Sequence, residues 1–345
     1  MERTHLVKAG ALCLVIILGS LICWELYWRN QGFQPTYNDD KVLWASSRKE
    51  VYRSPDQATV FIGASRIKFD LDIPTWERLT GERAIQLAIV GTSCMLTLQD
   101  LANDEKFKGK LIIDVIESAL FSGMPRDKSA IDAISYYHKE TPAQKVSAFI
   151  DYALESKLVF LEEGKFGLNS FLYRLKIPNR PGAMGPPDFP KEFNETSFDR
   201  QTRMTPMFLA DPQLQKIQIG NWRARGSFRK TPGLSGKSLD TVFKKIKTSI
   251  DKIRSRGGQV LFVRPPSNGE YWENECLVYP RQQYWDRLLS YTGCAGVHFK
   301  DYPVIRDLTC PEWSHLSPKD AAVFTQHLVE IINKEKGWIF PNPGH

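Results

Sequence analysis

Ala58-Thr-Val-Phe-Ile-Gly63-Ala64-Ser65-Arg66 is the stretch that decides the fold. Its first half carries no charge and is rich in β-branched and aromatic side chains, the pattern of a strand buried on both faces. It stops at a Gly-x-Ser turn. Two similar runs follow: Ala84-Ile-Gln-Leu-Ala-Ile-Val90, ending at Gly91-Thr92-Ser93, and Lys110-Leu-Ile-Ile-Asp-Val-Ile116. A helical segment from Met95 to Leu101 separates them. Apolar runs of strand length alternating with helices predict β-α-β units and a parallel sheet, hence an α/β fold.

The same rhythm returns near the C-terminus. Val242, Ile246, Ser249, Ile250 and Ile253 fall at helical spacing, and Gly257-Gly258 ends that helix. Gln259-Val-Leu-Phe-Val263 reads as a strand that stops at Arg264-Pro265-Pro266. Ser317-Pro318-Lys319-Asp320 is a helix start, with serine as N-cap and proline at the first helical position. Val323, Phe324, His327, Leu328, Ile331 and Ile332 supply the apolar face. The middle is different. Helical stretches rich in Tyr, Phe and Leu, notably Val146 to Leu161, give way to a run from Ile177 to Thr231 loaded with Pro, Gly, Asn and Arg. Its aromatic residues either cover the sheet, touch the bilayer or stack on sugar rings. The expected layout is one α/β domain over 58–335, split by an insertion at about 125–237, with a tail at 336–345.

Ahead of the domain, Leu6 to Trp28 is almost wholly apolar, interrupted by Lys8 and Glu25. Counting a snorkelling Lys8, the run reaches the ~20 residues a membrane-spanning helix requires. Trp24, Tyr27 and Trp28 stand where an interfacial aromatic belt belongs. Arg3 and Lys8 precede the span, so the positive-inside rule puts the N-terminus in the cytoplasm and the remainder outside. Leu21-Ile22-Cys23-Trp24 offers no small-x-small cleavage site, which favours an uncleaved anchor over a signal peptide. Residues 1–29 are therefore read as cytoplasmic tip and anchor, and the polar 30–57 as a linker.

The formal charge of +7 is spread along the chain, as suits an anionic neighbour such as a membrane surface or an acidic polymer. No zinc-finger spacing, RNA-recognition signature or concentrated basic helix points to nucleic acid. Beyond the anchor lie Cys94, Cys276, Cys294 and Cys310. Their spacing fits no metal site. In an oxidising compartment one bridge among the last three and a set of buried free thiols are both open. His298, within Val297-His298-Phe299, reads as structural, and Asn194-Glu195-Thr196 is a glycosylation sequon.

Two motifs carry chemistry. Ser65 follows the carboxyl end of a buried strand, the edge where open α/β sheets place ligands. Cys310-Pro311-Glu312-Trp313-Ser314-His315 sets a carboxylate three residues before a histidine, so one loop can supply a general base and the group that orients it. Taken singly, a Gly-x-Ser turn is mostly structural and a loop histidine is usually a surface residue. Together and in this order they resemble the SGNH (GDSL-like) hydrolase superfamily, over roughly 58–120 and 238–332. The Gly-x-Ser-Arg turn and the His315-Leu316-Ser317 tail are similar to its membrane-anchored branch, the alginate O-acetylation proteins and the D-alanyl-lipoteichoic acid transfer protein.

That resemblance implies an SGNH/flavodoxin-like three-layer fold with Ser65 as nucleophile, His315 as base and Glu312 as the orienting carboxylate. The N–H groups of Ser65 and Gly91 would form the oxyanion hole. It further implies envelope polysaccharide or glycolipid as substrate, an MBOAT-type membrane acyltransferase as partner, and no cofactor or metal. The chain departs from the family in having Ala64 before the serine, Glu for Asp at position 312, and no third-block asparagine. Glu117 falls near that asparagine's place, where an anion would oppose an oxyanion. Arg66 and Arg264 are candidates to line the site and compensate, their blander reading being salt-bridged surface arginines. A catalytically silent module that binds a polysaccharide or a membrane partner is the alternative. The triad reading expects Ser65 within hydrogen-bonding reach of His315, with Glu312 on the far side of the imidazole. For topology, a reporter active only outside the cytoplasm, fused after His345, is expected to be active. An inactive reporter, or a mature chain beginning after Trp28, would contradict the anchor.

Overall fold

The computed structural model describes residues 2–53, 57–124, 127–174, 189–224 and 232–341. The chain divides into two units, Met1–Asn38 with Pro142–Ala183, and Asp39–Thr141 with Met184–His345. Part of the segment that the sequence reads as an insertion, from Pro142 on, groups with the N-terminal helix in the smaller unit.

The larger unit is built on strands β1 (Ala58–Ile62), β2 (Arg83–Gln86), β3 (Lys110–Asp114), β6 (Gln259–Arg264) and β7 (Ala295–His298). Short strands β4 (Asn194–Thr196) and β5 (Thr202–Met204) form a separate antiparallel hairpin. The main sheet has the order β2-β1-β3-β6-β7 and every pairing in it is parallel. Side chains alternate between its faces. Val60, Ile62, Leu111, Ile113 and Phe262 pack with Leu98 and Leu101 of helix Met95–Asn103 and with Phe243, Ile246 and Ile250 of helix Gly236–Arg254. Phe61, Ile112, Leu261 and Val263 turn the other way, onto Trp76 of helix Ile73–Thr80 and Phe324, Leu328 and Ile332 of helix Pro318–Glu335. Both faces are covered, so the strands need no polar alternation and read as solid apolar runs. From β1 the chain steps to β2, then returns past β1 to β3. The carboxyl ends of β1 and β3 therefore flank the switch-point crevice where ligands bind in such sheets.

Two segments outside the expected domain belong to this core. Within 30–57, the linker of the sequence reading, Lys41–Lys49 is a helix capped by Asp40, which accepts the N–H groups of Val42 and Leu43. It buries Trp44, whose indole N–H donates to Leu87 O at 3.0 Å, and Arg48, paired with Asp100 at 2.7 Å and Asp104 at 2.8 Å. A buried arginine makes the segment look polar, which hid the helix. The tail likewise packs: Trp338 and Phe340 join the second core face, and Lys110 donates to Ile339 O at 2.9 Å. Strand β7 is absent from the sequence reading because it is a short edge strand containing Gly296. A Cβ there would lie 2.8 Å from atoms of Trp285 and Leu289.

In the smaller unit, helix Glu2–Asn30 contains a stretch, Thr4–Asn30, long and apolar enough to cross a membrane. Helices Pro142–Glu155, Glu163–Phe166 and Leu168–Arg174 accompany it.

If the Lys41–Lys49 helix is part of the core, Trp44→Ala should cost about 3–5 kcal/mol of stability in denaturant unfolding. A loss below about 0.5 kcal/mol, the size of an ordinary surface substitution, would mean that the segment is only a tether.

Candidate active site

The serine turn is fixed by packing before it can do chemistry. At Gly63 a Cβ would stand 2.3 Å from the Cβ of Asp114, the last residue of β3, so only glycine fits. Asp114 in turn accepts the Ala64 N–H through Oδ2 at 3.2 Å. Ser65 then opens helix Ser65–Asp70 and is half-buried. At the other end of this helix, Asp70 Oδ1 accepts the Leu316 N–H at 2.8 Å. That bond ties the serine helix to the loop carrying His315.

The loop is held tightly. Asn268 accepts the Cys310 N–H at 2.5 Å and donates its own N–H to Trp313 O at 3.0 Å. Trp313 has φ +77°, a left-handed conformation that costs a non-glycine residue on the order of 1–3 kcal/mol and persists only where surroundings enforce it. The turn brings Glu312 back onto His315. Oε1 accepts both the His315 N–H at 2.7 Å and Nδ1–H at 2.8 Å. Oε2 accepts the Trp222 indole N–H at 2.5 Å. Glu312 and His315 are both buried, and Phe69 stacks on the imidazole at 4.2 Å. With Nδ1 donating to a carboxylate, Nε2 is left as the basic nitrogen.

Ser65 and His315 line one cavity of about 450 Å³, together with Gly91, Ser118, Asn194, Trp222 and Tyr271. The expected Ser65–His315 hydrogen bond is not formed: His315 Nε2 has no hydrogen-bond partner. Gly91 has φ +71° with open space around it, so it is conformation that calls for glycine here.

The arginines are placed otherwise than the sequence suggests. Arg66 and Arg264 are wholly buried, neither lining this cavity nor reaching the surface. Arg66 donates to Glu275 at 2.6 Å; Arg264 donates to Glu275 at 2.5 Å and to both oxygens of Glu117 at 3.3 Å. Two buried cations are thereby matched by two buried anions. The pairing also turns Glu117 toward Arg264 and leaves Ser118 and Ala119 on the cavity wall. The repulsive anion expected beside an oxyanion is thus engaged elsewhere.

All six cysteines are free, so no bridge joins Cys276, Cys294 and Cys310. Cys94, Cys294 and Cys310 are buried, and burial pushes the Cys310 thiol well up. Cys276 and His298 line a separate cavity of about 340 Å³. Burial, then Arg264, depress His298 to about 2, and burial raises the Cys276 thiol. Neither group is charged at neutral pH, which removes a thiolate nucleophile from that cavity. Among the described residues no group of three His, Cys, Asp or Glu could hold a metal ion.

Sequence reasoning missed Trp222, Asp70 and Asp114, and read Asn194 only as part of a sequon. A charge ending a buried apolar run was the available signal for Asp114. Trp222, in helix Pro212–Ala224, had none. The hairpin bearing Asn194 is pinned by Arg200, which donates to Gln86 O at 2.7 Å and Ala88 O at 3.0 Å at the end of β2.

A scan against protein-family models and a search of curated proteins both return no match.

The site's geometry gives a pH test. Burial pushes the Asp114 carboxyl up to about 6, against the pull of the Ala64 N–H, Arg66 and Arg264. A carboxyl raised in the folded state adds stability at low pH that is lost as pH climbs through its folded value. Asp114→Asn can keep an acceptor for the Ala64 N–H and should remove that loss. Relative to the parent chain it should gain on the order of 3 kcal/mol in going from about pH 4 to about pH 7. Asp70, which burial also raises well above its usual range, is pushed further up by Asp114, so the comparison is made in an Asp70→Asn background. Parallel stability curves would contradict the assignment.

Proposed function

We propose that this chain is a membrane-anchored, extracytoplasmic serine acyltransferase or esterase of the SGNH type, acting on an envelope polysaccharide or glycolipid. The observation that carries the reading is the buried Glu312–His315 pair, with Nε2 unpartnered, on a cavity that Ser65 shares. The strand order supports it: renumbered within the sheet it is 2-1-3-4-5, that of flavodoxin-like folds, with Ser65 at the switch point. The apolar N-terminal helix supports the anchor.

In this mechanism His315 Nε2 takes the proton of Ser65 as Oγ attacks an acyl carbonyl. The N–H groups of Ser65 and Gly91 receive the developing oxyanion, with Ser118 on the cavity wall to replace the absent third-block donor. Collapse expels the donor's leaving group, which takes the proton back from His315, and leaves acyl-Ser65. A sugar hydroxyl, or water, then gives its proton to His315 and attacks the ester, and Ser65 takes that proton back from His315 as it leaves. Glu312 holds the imidazole in the required tautomer and stabilises its cation. Its extra methylene over aspartate lets one oxygen reach both N–H groups of His315 while the other reaches Trp222. A membrane acyltransferase of the MBOAT type would suit an anchored domain that needs acyl groups delivered at the bilayer.

Turnover of an activated acetyl ester measures this directly. Ser65→Ala and His315→Ala should each lower it by about six orders of magnitude, or to the floor of the assay, without altering the thermal transition, and the double variant should lose little more. Glu312→Gln should fall less far. Unchanged turnover in Ser65→Ala would sink the mechanism. A wild-type chain inert toward every acyl donor, sugar acceptors included, would favour the silent binding module, for which the unformed Ser65–His315 bond is the supporting observation.

A further inference from the structure

The smaller unit contains a helix that is amphipathic the wrong way round. Pro142–Glu155 turns Ala148, Tyr152 and Glu155 inward, one helical stripe. Its larger apolar side chains face out: Val146 is 62% exposed, Phe149 75%, Ile150 52% and Leu154 45%. An amphipathic helix of a soluble unit buries its apolar stripe instead. Just beyond it, Leu168 and Leu172, one turn apart, are 73% and 51% exposed.

What covers this stripe follows from how the unit holds the long apolar helix. Glu25 is buried, and its carboxylate accepts the N–H of Val159 at 2.9 Å and of Phe160 at 3.4 Å. Arg29 donates to Glu25 at 2.6 Å and to Lys157 O at 2.6 Å. Trp28 packs on Phe166 at 4.6 Å and Trp24 on Phe171 at 6.0 Å. The segment that follows helix Pro142–Glu155 is thus bonded to the aromatic end of the spanning helix, the level of the membrane–water interface. A cleaved leader could not keep these bonds, so they also argue for an uncleaved anchor.

We propose that helix Pro142–Glu155 lies in the bilayer interface as a second membrane contact, its occupant being lipid. The stripe is continuous with the unit that holds the span, and Lys145 and Lys157 are exposed beside it, where they can reach anionic headgroups. The inference rests on the reading that residues 4–30 cross the membrane.

The test uses the full chain in phosphatidylcholine–phosphatidylglycerol vesicles, with the exposed Cys23 and Cys276 replaced. A spin label on native Cys13 reports the span. With Cys13 also replaced, labels at Phe149→Cys, Ile150→Cys and Asp151→Cys report the helix. Relaxation by oxygen, which concentrates in lipid, is compared with relaxation by a water-soluble nickel chelate. Positions 149 and 150 should show a severalfold higher oxygen-to-nickel ratio than position 151. Equal ratios at all three, with the Cys13 label in lipid, would overturn the helix contact and leave the anchor standing. Shielding of 149 and 150 from both reagents would overturn it in favour of a protein partner. A Cys13 label relaxed by nickel would remove the anchor reading itself, and this inference with it.

Discussion

Glu312 is a buried carboxylate with three N–H donors, and the site is organised by the need to supply them. A buried anion without partners costs several kcal/mol, far more than any single loop contact returns. Two donors come from His315 and the third from Trp222 in the insertion. The loop must therefore turn sharply enough to set Trp313 at positive φ, and the Pro212–Ala224 helix must be docked before the carboxylate is satisfied. Two distant parts of the chain converge on one side chain. Asp70 adds a third, by holding the Leu316 N–H from the serine helix.

A second buried layer lies beneath the serine. Arg66, Arg264, Glu117 and Glu275 are mutually paired, and Asp114 holds the turn before Ser65. Such networks are weak sources of net stability, but removing one member is costly. Here they fix which residues face the cavity: Glu117 goes to Arg264, and Ser118 to the wall. An anion that looked hostile to catalysis in the sequence thus becomes part of the scaffold.

Much of the sheet was legible because strands covered on both faces must be continuous apolar runs, as at Ala58–Ile62 and Gln259–Arg264. The last helix was legible from local chemistry: Ser317 accepts the Asp320 N–H, as its capping motif requires. The Glu312–His315 pair was readable because a three-residue spacing is also local. What escaped was non-local. Lys41–Lys49 looks polar until Arg48 finds Asp100 and Asp104, more than fifty residues away. Trp222 has no motif around it, and its value appears only when the helix meets Glu312. The unit joining the first helix to residues 142–183 rests on Glu25 meeting the Val159 N–H, a pairing no window of sequence contains.

The central claim is that Ser65 is a nucleophile activated by His315. A fluorophosphonate probe, which reacts only with activated serines, followed by peptide mass mapping, tests it most directly. The account predicts a single adduct on Ser65 that disappears in His315→Ala. An adduct on another serine, or labelling of Ser65 that persists without His315, would contradict it.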